Sequence, residues 1–174
     1  LVEAGRLCKD FSLNKVTKVI VGGAERIHSV QAGLGEVNSG AALIAIHDGA
    51  RPLVSQRVLE EAITRASVTG AAAPAVPVTD TIKRGEDGLA VETVDRSRLW
   101  AVQTPQVFES GLIRAAIHKA IEDGEALTDD CGAVERLGMK VSLTAGSREN
   151  LKITTPLDLV LGEAILQARV EGTL

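Results

Sequence analysis

The stretch Ile44-Ala45-Ile46-His47-Asp48-Gly49-Ala50-Arg51-Pro52 decides the fold, because an apolar run breaks off abruptly into an acid, two small residues and a base. Ala41 to Ile46 carries no charge and has the length of a strand covered on both faces, the pattern of parallel strands in α/β domains. Ligands in such sheets bind just beyond the carboxyl ends of the strands. Asp48 offers a carboxylate for a divalent metal carrying a phosphate, Gly49 and Ala50 let a ligand approach the backbone, and Arg51 offers a fork for a carboxylate or phosphate. The same residues also suit a structural turn in which Asp48 caps a helix and pairs with Arg51.

Working outward, strand-like and helix-like patterns alternate along the chain, which predicts an α/β fold with a mainly parallel sheet. Upstream, Val16 to Val21 reads as a strand ending at Gly22-Gly23, followed by a short helix from Ser29 to Leu34. Downstream, Ser55 is positioned as the N-cap of a helix presenting Val58, Leu59, Ala62, Ile63 and Ala66 on one face, with Gly70 as its stop. Ala71 to Val78 reads as a buried strand, although Pro74 and Pro77 oppose that reading. Residues 79–96 break the rhythm as a polar hairpin around Gly85-Glu86-Asp87-Gly88. A lone hairpin is marginal in water, so it is expected to pack on something, a second subunit or its own domain.

Leu99 to Val102 resumes the buried pattern and leads into Gln103-Thr104-Pro105-Gln106. A helix then carries Leu112, Ile113, Ala116, Ile117, Ala120 and Ile121 on one stripe and stops near Gly124. Thr128 is placed to cap a helix from Asp129 to Leu137, and Met139 to Thr144 is a further strand. Thr155-Pro156-Leu157-Asp158 combines an N-cap, a proline at the first helical position and a capping-box acid, opening a helix through Ala168. The chain starts at Leu1, without methionine and inside a helix-like stretch, so it reads as the carboxyl-terminal part of something longer.

The 174 residues suit one domain with a real core. Lys and Arg number 19 against 23 Asp and Glu, a net charge of −4 that provides no general attraction for nucleic acid. Phe11, Trp100 and Phe108 are too few to form a base-stacking platform. No apolar run approaches the roughly 18 residues of a membrane span and no signal-peptide pattern opens the chain, so a cytoplasmic location is expected. Cys8 and Cys131 lack metal-ligand companions at short spacing and are expected to stay reduced. Gly-x-Ser-x-Gly, His-Glu-x-x-His and Gly-x-Gly-x-x-Gly are all missing, which removes the corresponding hydrolase, zinc and dinucleotide readings. His28 and His118 fall in predicted helices, and strand alternation predicts that His47 and Asp48 point to opposite faces.

Polar clusters fall where predicted strands stop: Gly22-Gly23-Ala24-Glu25-Arg26 with Ser29, Asp48 with Arg51, Thr104 with Gln106, and Asn150 with Lys152. In a parallel sheet such ends share one edge, and glycines and hydroxyls beside cations suit a phosphate-rich ligand. In order, these clusters resemble the 2-C-methyl-D-erythritol 4-phosphate cytidylyltransferase family. The matching pieces are Gly22 to Arg26 with Ser29-Val30, His47 to Pro52, Asp80-Thr81-Ile82-Lys83, Thr93-Val94-Asp95-Arg96, Gln103 to Gln106, Thr128-Asp129-Asp130, and Asn150 to Thr154.

The resemblance implies a single nucleotidyltransferase domain over residues 1–174, with a Rossmann-like sheet, flanking helices and a protruding β-hairpin dimer arm at 79–96. The implied reaction joins CTP to 2-C-methyl-D-erythritol 4-phosphate, a sugar-alcohol phosphate, with release of pyrophosphate, in isoprenoid precursor synthesis. On this basis Gly23, Ala24 and Ser29 would contact the cytidine part, Asp48 the Mg²⁺ and triphosphate, and Lys152 the charge building on the α-phosphate. Thr104 and Thr128 would line the substrate pocket beside Arg51, and the arm of a homodimer would bring Thr81 and Arg96 to the neighbouring subunit's sugar phosphate. The family's Gly-rich triphosphate loop and its strand have no counterpart among residues 1–174, so these residues alone are expected to show little or no turnover. Two alternatives are a sibling enzyme acting on a pentitol phosphate and a dimerising remnant without turnover.

Overall fold

A computed structural model describes residues 1–124 and 126–173. Two compact units emerge, one of Leu1–Ile44 with Glu109–Lys140 and one of Ala45–Phe108 with Val141–Leu174. The first unit is helical: α1 (Val2–Asp10), α2 (Arg26–Glu36), α4 (Ser110–Glu122) and α5 (Asp130–Arg136). Ile113, Ala116, Ile117 and Ala120 of α4 form the expected stripe and are buried, together with Ile27 and Leu34 of α2 and Ala133 and Val134 of α5. Arg114 of α4 donates to the carbonyls of Leu34 and Val37, placing a cation at the carboxyl end of α2.

Asp129, and not Thr128, caps α5, accepting from the Gly132 N–H at 3.0 Å. Both residue types cap helices well, so the local pattern is degenerate by one position. Val16 to Val21 forms no strand. Val16, Val19, Ile20 and Val21 are exposed, and an apolar run becomes a strand only where a neighbour completes its hydrogen bonds.

The second unit is built on the sheet. Its order is β1 (Leu43–Ile46), β6 (Gln106–Glu109), β2 (Ala71–Pro77) and β5 (Trp100–Val102), with β7 (Ser142–Ala145) also on β2. β2 pairs parallel with β7 but antiparallel with β5 and β6, so the sheet is mixed. The parallel character expected from the sequence holds for β2 with β7. Beside it, Trp100 and Val102 are exposed, against the buried pattern read for Leu99 to Val102.

Ala71, Ala72, Ala73 and Ala75 are almost wholly buried, and their small side chains let α3 (Gln56–Thr69) lie close through Val58, Ala62 and Ala66. Pro74 joins the sheet through its carbonyl, which accepts from the Gln103 N–H at 2.8 Å, so its missing donor is tolerated there.

β5 and β6 form one line of chain antiparallel to β2, with Val102 opposite Ala75 and Val107 opposite Ala72. Between these pairs, Gln103 to Gln106 face only Ala73 and Pro74, four residues against two. The surplus is thrown out of the ladder as a bulge, the device by which sheets re-aim side chains at sites. The strand β6 has no clear signal in the sequence, because Thr104-Pro105 reads as the end of the segment.

Helix ends follow the sequence closely. Ser55 caps α3 and Gly70 closes it at φ 81°, a left-handed conformation that glycine adopts without cost. The hairpin comprises β3 (Ile82–Glu86) and β4 (Leu89–Val94), turning at Asp87 and Gly88 with both φ values positive, as tight hairpin turns require. Among the described residues no helix is long and apolar enough to cross a membrane.

Thr155 caps α6 (Pro156–Glu171), and Asp158 answers it in the capping box. The Asp158 carboxylate accepts from the Thr154 and Thr155 N–H groups at 2.9 and 2.7 Å. These bonds, with the Thr155 hydroxyl, hold its pKa below the usual aspartate value. Because the folded pKa is depressed, its contribution to stability is present above the unfolded value of about 3.8 and is lost as pH falls through the folded one. The melting-temperature gap between the parent and Asp158→Asn is therefore expected to be full at pH 5 and above and to close on acidification below 3.8. A gap that does not change with pH would show that ionisation of Asp158 contributes nothing to the cap.

Candidate active site

The strand β1 ends at Ile46, and the chain turns at once: the Arg51 N–H donates to the Asp48 carbonyl at 2.9 Å, closing residues 48 to 51. This turn carries the acid and the base, and two other segments of the second unit meet it. The bulge brings Thr104, whose Oγ1 accepts from the Asp48 N–H at 3.0 Å and lies 2.9 Å from His47 Nδ1. His47 Nε2 lies 3.0 Å from the Arg51 carbonyl. A carbonyl can only accept, so Nε2 donates to Arg51, while Nδ1 pairs with the Thr104 hydroxyl. His47 therefore stitches the turn to the bulge. His47 and Asp48 do not alternate across a sheet as the sequence predicts, because β1 ends at Ile46.

The third segment, after β7, brings Lys152, whose Nζ lies 3.1 Å from Asp48 Oδ2. Arg51 Nε lies 3.7 Å from the same oxygen, and Arg51 Nη1 donates to the Asn150 carbonyl at 2.6 Å. Burial pulls the Arg51 pKa down while Asp48 opposes it, and a guanidinium stays charged regardless. One carboxylate thus faces two cations. The Asp48 side chain is 18% exposed and the Lys152 side chain 47%, so solvent screens the pair and it is worth about 1 kcal/mol or less to folding. Asp48 does not cap α3, which Ser55 does, but it does pair with Arg51 as the structural reading required.

In the first unit, the Gly23 N–H donates to Ser29 Oγ at 3.0 Å, and that hydroxyl lies 3.3 Å from the Glu25 carbonyl. A Cβ on Gly23 would lie 2.2 Å from the Cβ of His28, so only glycine fits beneath α2. Ala24 continues this exposed stretch into α2. Arg26 grips the buried Asp130 with two bonds of 2.7 and 2.6 Å, which ties the start of α2 to the segment carrying the exposed Thr128. Thr81 and Arg96 lie exposed at the base of the hairpin, where Arg96 donates to the Thr79 carbonyl. The hydrogen bonds that build the Asp48 cluster include neither of them.

Three residues of the cluster were not assigned a role from sequence: His47, Gln103 and Asn150. All three lie inside the quoted motif pieces, but only the fold reveals what they join.

The family model for IspD, 2-C-methyl-D-erythritol 4-phosphate cytidylyltransferase, matches residues 2–168. The chain belongs to this family. Proteins of that name from Alkaliphilus metalliredigens and Caldanaerobacter subterraneus are 46% and 51% identical to it. The matches cover 97% and 90% of this chain and 70% of each relative. Among solved structures, the cytidylyltransferase of Thermus thermophilus is similar at 38% identity and TM-score 0.79, over 85% of this chain and 72% of that one. The 4-diphosphocytidyl-2C-methyl-D-erythritol synthase of Anaerococcus prevotii is similar at 29% identity and TM-score 0.85, over 95% and 78%. The α/β architecture of the family is thus the architecture of this chain.

The site geometry has a consequence for stability. Thr104→Val keeps the shape of the side chain but strips partners from the Asp48 N–H and from His47 Nδ1. Unpaired polar groups cost about 1–3 kcal/mol each when fully buried, and here His47 is exposed and Asp48 half-buried, so denaturant unfolding is expected to show a loss of more than about 1 kcal/mol. Thr104→Ser should stay within about 1 kcal/mol of the parent, since it keeps both bonds. Equal losses for the two variants would mean that the methyl group, and not the hydroxyl, holds the bulge.

Proposed function

We propose that this chain catalyses cytidylyl transfer from CTP to 2-C-methyl-D-erythritol 4-phosphate. The observation that carries this reading is the meeting of Asp48, Arg51 and Lys152 at the end of β1, in a member of this family. Both reactants are anions, so chemistry of this kind depends on positioning and on neutralising charge more than on acid–base work. A phosphate oxygen of the polyol phosphate attacks the α-phosphorus in line. A new P–O bond forms as the bond to the β-phosphate oxygen breaks, and pyrophosphate leaves with the electron pair.

In this reading Lys152 meets the charge that builds on the α-phosphate, and Arg51 lies beside the substrate. Thr104 and Thr128 are assigned to the polyol phosphate, and Gly23, Ala24 and Ser29 to the cytidine part. Asp48 is the carboxylate that would hold a Mg²⁺ arriving with the triphosphate. The fit is specific in kind: two cations oppose a bare divalent ion at a lone carboxylate, whereas phosphate oxygens complete its ligand set and answer the cations. Bound there, Mg²⁺ would supply neutralisation of the triphosphate.

The exposed hairpin is the arm of a homodimer in this reading, with Thr81 and Arg96 serving the partner's sugar phosphate. Its exposed Leu89 and Val91 suit such a contact. A cytoplasmic setting accords with Cys8 and Cys131 both being present as thiols. Burial raises the pKa of the Cys131 thiol and keeps it unreactive.

Pyrophosphate release measured with CTP and each candidate polyol phosphate tests the reaction. Release is expected with methylerythritol phosphate above the rate without acceptor; release with a pentitol phosphate alone would indicate the sibling activity, and none with either would sink the proposal. Asp48→Asn is expected to lower kcat by about a hundredfold or more while the melting temperature barely moves. Mixing Asp48→Ala with Arg96→Ala subunits should recover activity, because one site of each heterodimer then escapes both lesions. No recovery after verified exchange would return the hairpin to its own subunit.

A further inference from the structure

Lys152 is half exposed and ends a flexible stem, yet the loop that carries it, residues 146–153, is pinned along its length. The Gly146 N–H donates to the Ala75 carbonyl, and the Ile153 N–H to the Ala50 carbonyl at 2.8 Å. Between these anchors two buried amides do the holding. Gln103, 7% exposed, takes the Ser147 N–H on Oε1 at 3.2 Å and gives Nε2 to the Ser147 carbonyl at 2.8 Å. One side chain thus stands in for a strand neighbour. Asn150, wholly buried, gives Nδ2 to the Thr104 carbonyl at 2.9 Å and to Gln103 Oε1 at 3.3 Å.

The orientation of each amide is fixed by its partners. Turning Asn150 over would set Oδ1 against two oxygens, and turning Gln103 over would set donor against donor and acceptor against acceptor. The loop also passes too close for any side chain at its start: a Cβ on Gly146 would lie 2.7 Å from Gln103 Oε1 and 3.0 Å from the Ala75 carbonyl. The Asn150 carbonyl, two residues before Lys152, accepts from Arg51, so the site's other cation holds the same loop.

We propose that Gln103 and Asn150 are positioning residues for cytidylyl transfer, a clamp that sets the backbone from which Lys152 reaches Asp48. The inference rests on the role given to Lys152 above. With the backbone fixed on both sides of Lys152, only its own torsions remain to be settled when the triphosphate arrives. Without the clamp the ammonium wanders, and misplacement by about 1 Å can cost a hundredfold in rate.

The test is a double-mutant cycle on the full chain, with kcat and the KM for CTP measured for the parent, Asn150→Leu, Lys152→Ala and the pair. Asn150→Leu keeps the branched shape of the side chain, removes the clamp and adds no charge. It is expected to lower kcat about tenfold or more with less than about a threefold change in KM. Lys152→Ala should cost tens-fold in the parent but less than about threefold in the Asn150→Leu background, since a misplaced lysine has little left to lose.

Gln103→Met supplies the same cycle if Asn150→Leu does not fold. A residue that only stabilises the fold would leave the Lys152→Ala factor unchanged, and a full multiplicative loss in the clamp variant would overturn the proposal. A parent indifferent to Lys152→Ala would overturn the role of Lys152 itself and the clamp with it, and the parent arm reports that failure alone.

Discussion

The meeting of one carboxylate with two cations at the end of β1 is the interaction on which the rest of this structure turns. Asp48 Oδ2 has Lys152 Nζ at 3.1 Å and Arg51 Nε at 3.7 Å, and three separate segments are bent to bring this about. Folding gains little from it, because screened pairs of this kind are worth about 1 kcal/mol or less. The scaffold around it is far costlier to disturb, since Thr104, Gln103 and Asn150 are buried polar groups whose partners lie on other segments. A weak pair held by a firm frame is what a site needs when the pair must open for a ligand.

The bulge between β5 and β6 links the sheet to this chemistry. Had Gln103 to Gln106 continued the ladder, Thr104 would lie in register with β2 and could not reach the Asp48 N–H. The two surplus residues free Gln103 to read the loop at Ser147 and Thr104 to hold the turn at Asp48 and His47. Small side chains on β2 complete the arrangement by letting α3 cover the sheet closely, which fixes the frame from behind.

Much of this was legible in the sequence wherever the determinant was local. The ends of α3 and α6 were read from Ser55, Gly70 and the Thr155 to Asp158 box, because each cap closes on itself within four residues. The hairpin was read for the same reason. Asp48, Arg51, Thr104 and Lys152 were found because each follows an apolar strand, and the fold draws those ends together. What depended on distant partners was not legible. Val16 to Val21 has the composition of a strand but no described neighbour, β6 is short and hidden behind Pro105, and Thr128 and Asp129 were equally good caps. His47, Gln103 and Asn150 act through backbone groups far along the chain, which no spacing rule encodes.

In the proposed reaction, the Asp48 cluster takes a metal only together with a triphosphate. Calorimetric titration of the protein with MgCl₂ alone, with CTP in the presence of chelator, and with CTP and Mg²⁺ together tests it directly. The expected result is no measurable binding of Mg²⁺ alone at millimolar concentration, weak binding of CTP without metal, and tight binding of the two together that Asp48→Asn reduces about tenfold or more. Binding of Mg²⁺ alone as tight as in the presence of CTP, or CTP affinity indifferent to both the metal and Asp48→Asn, would contradict it.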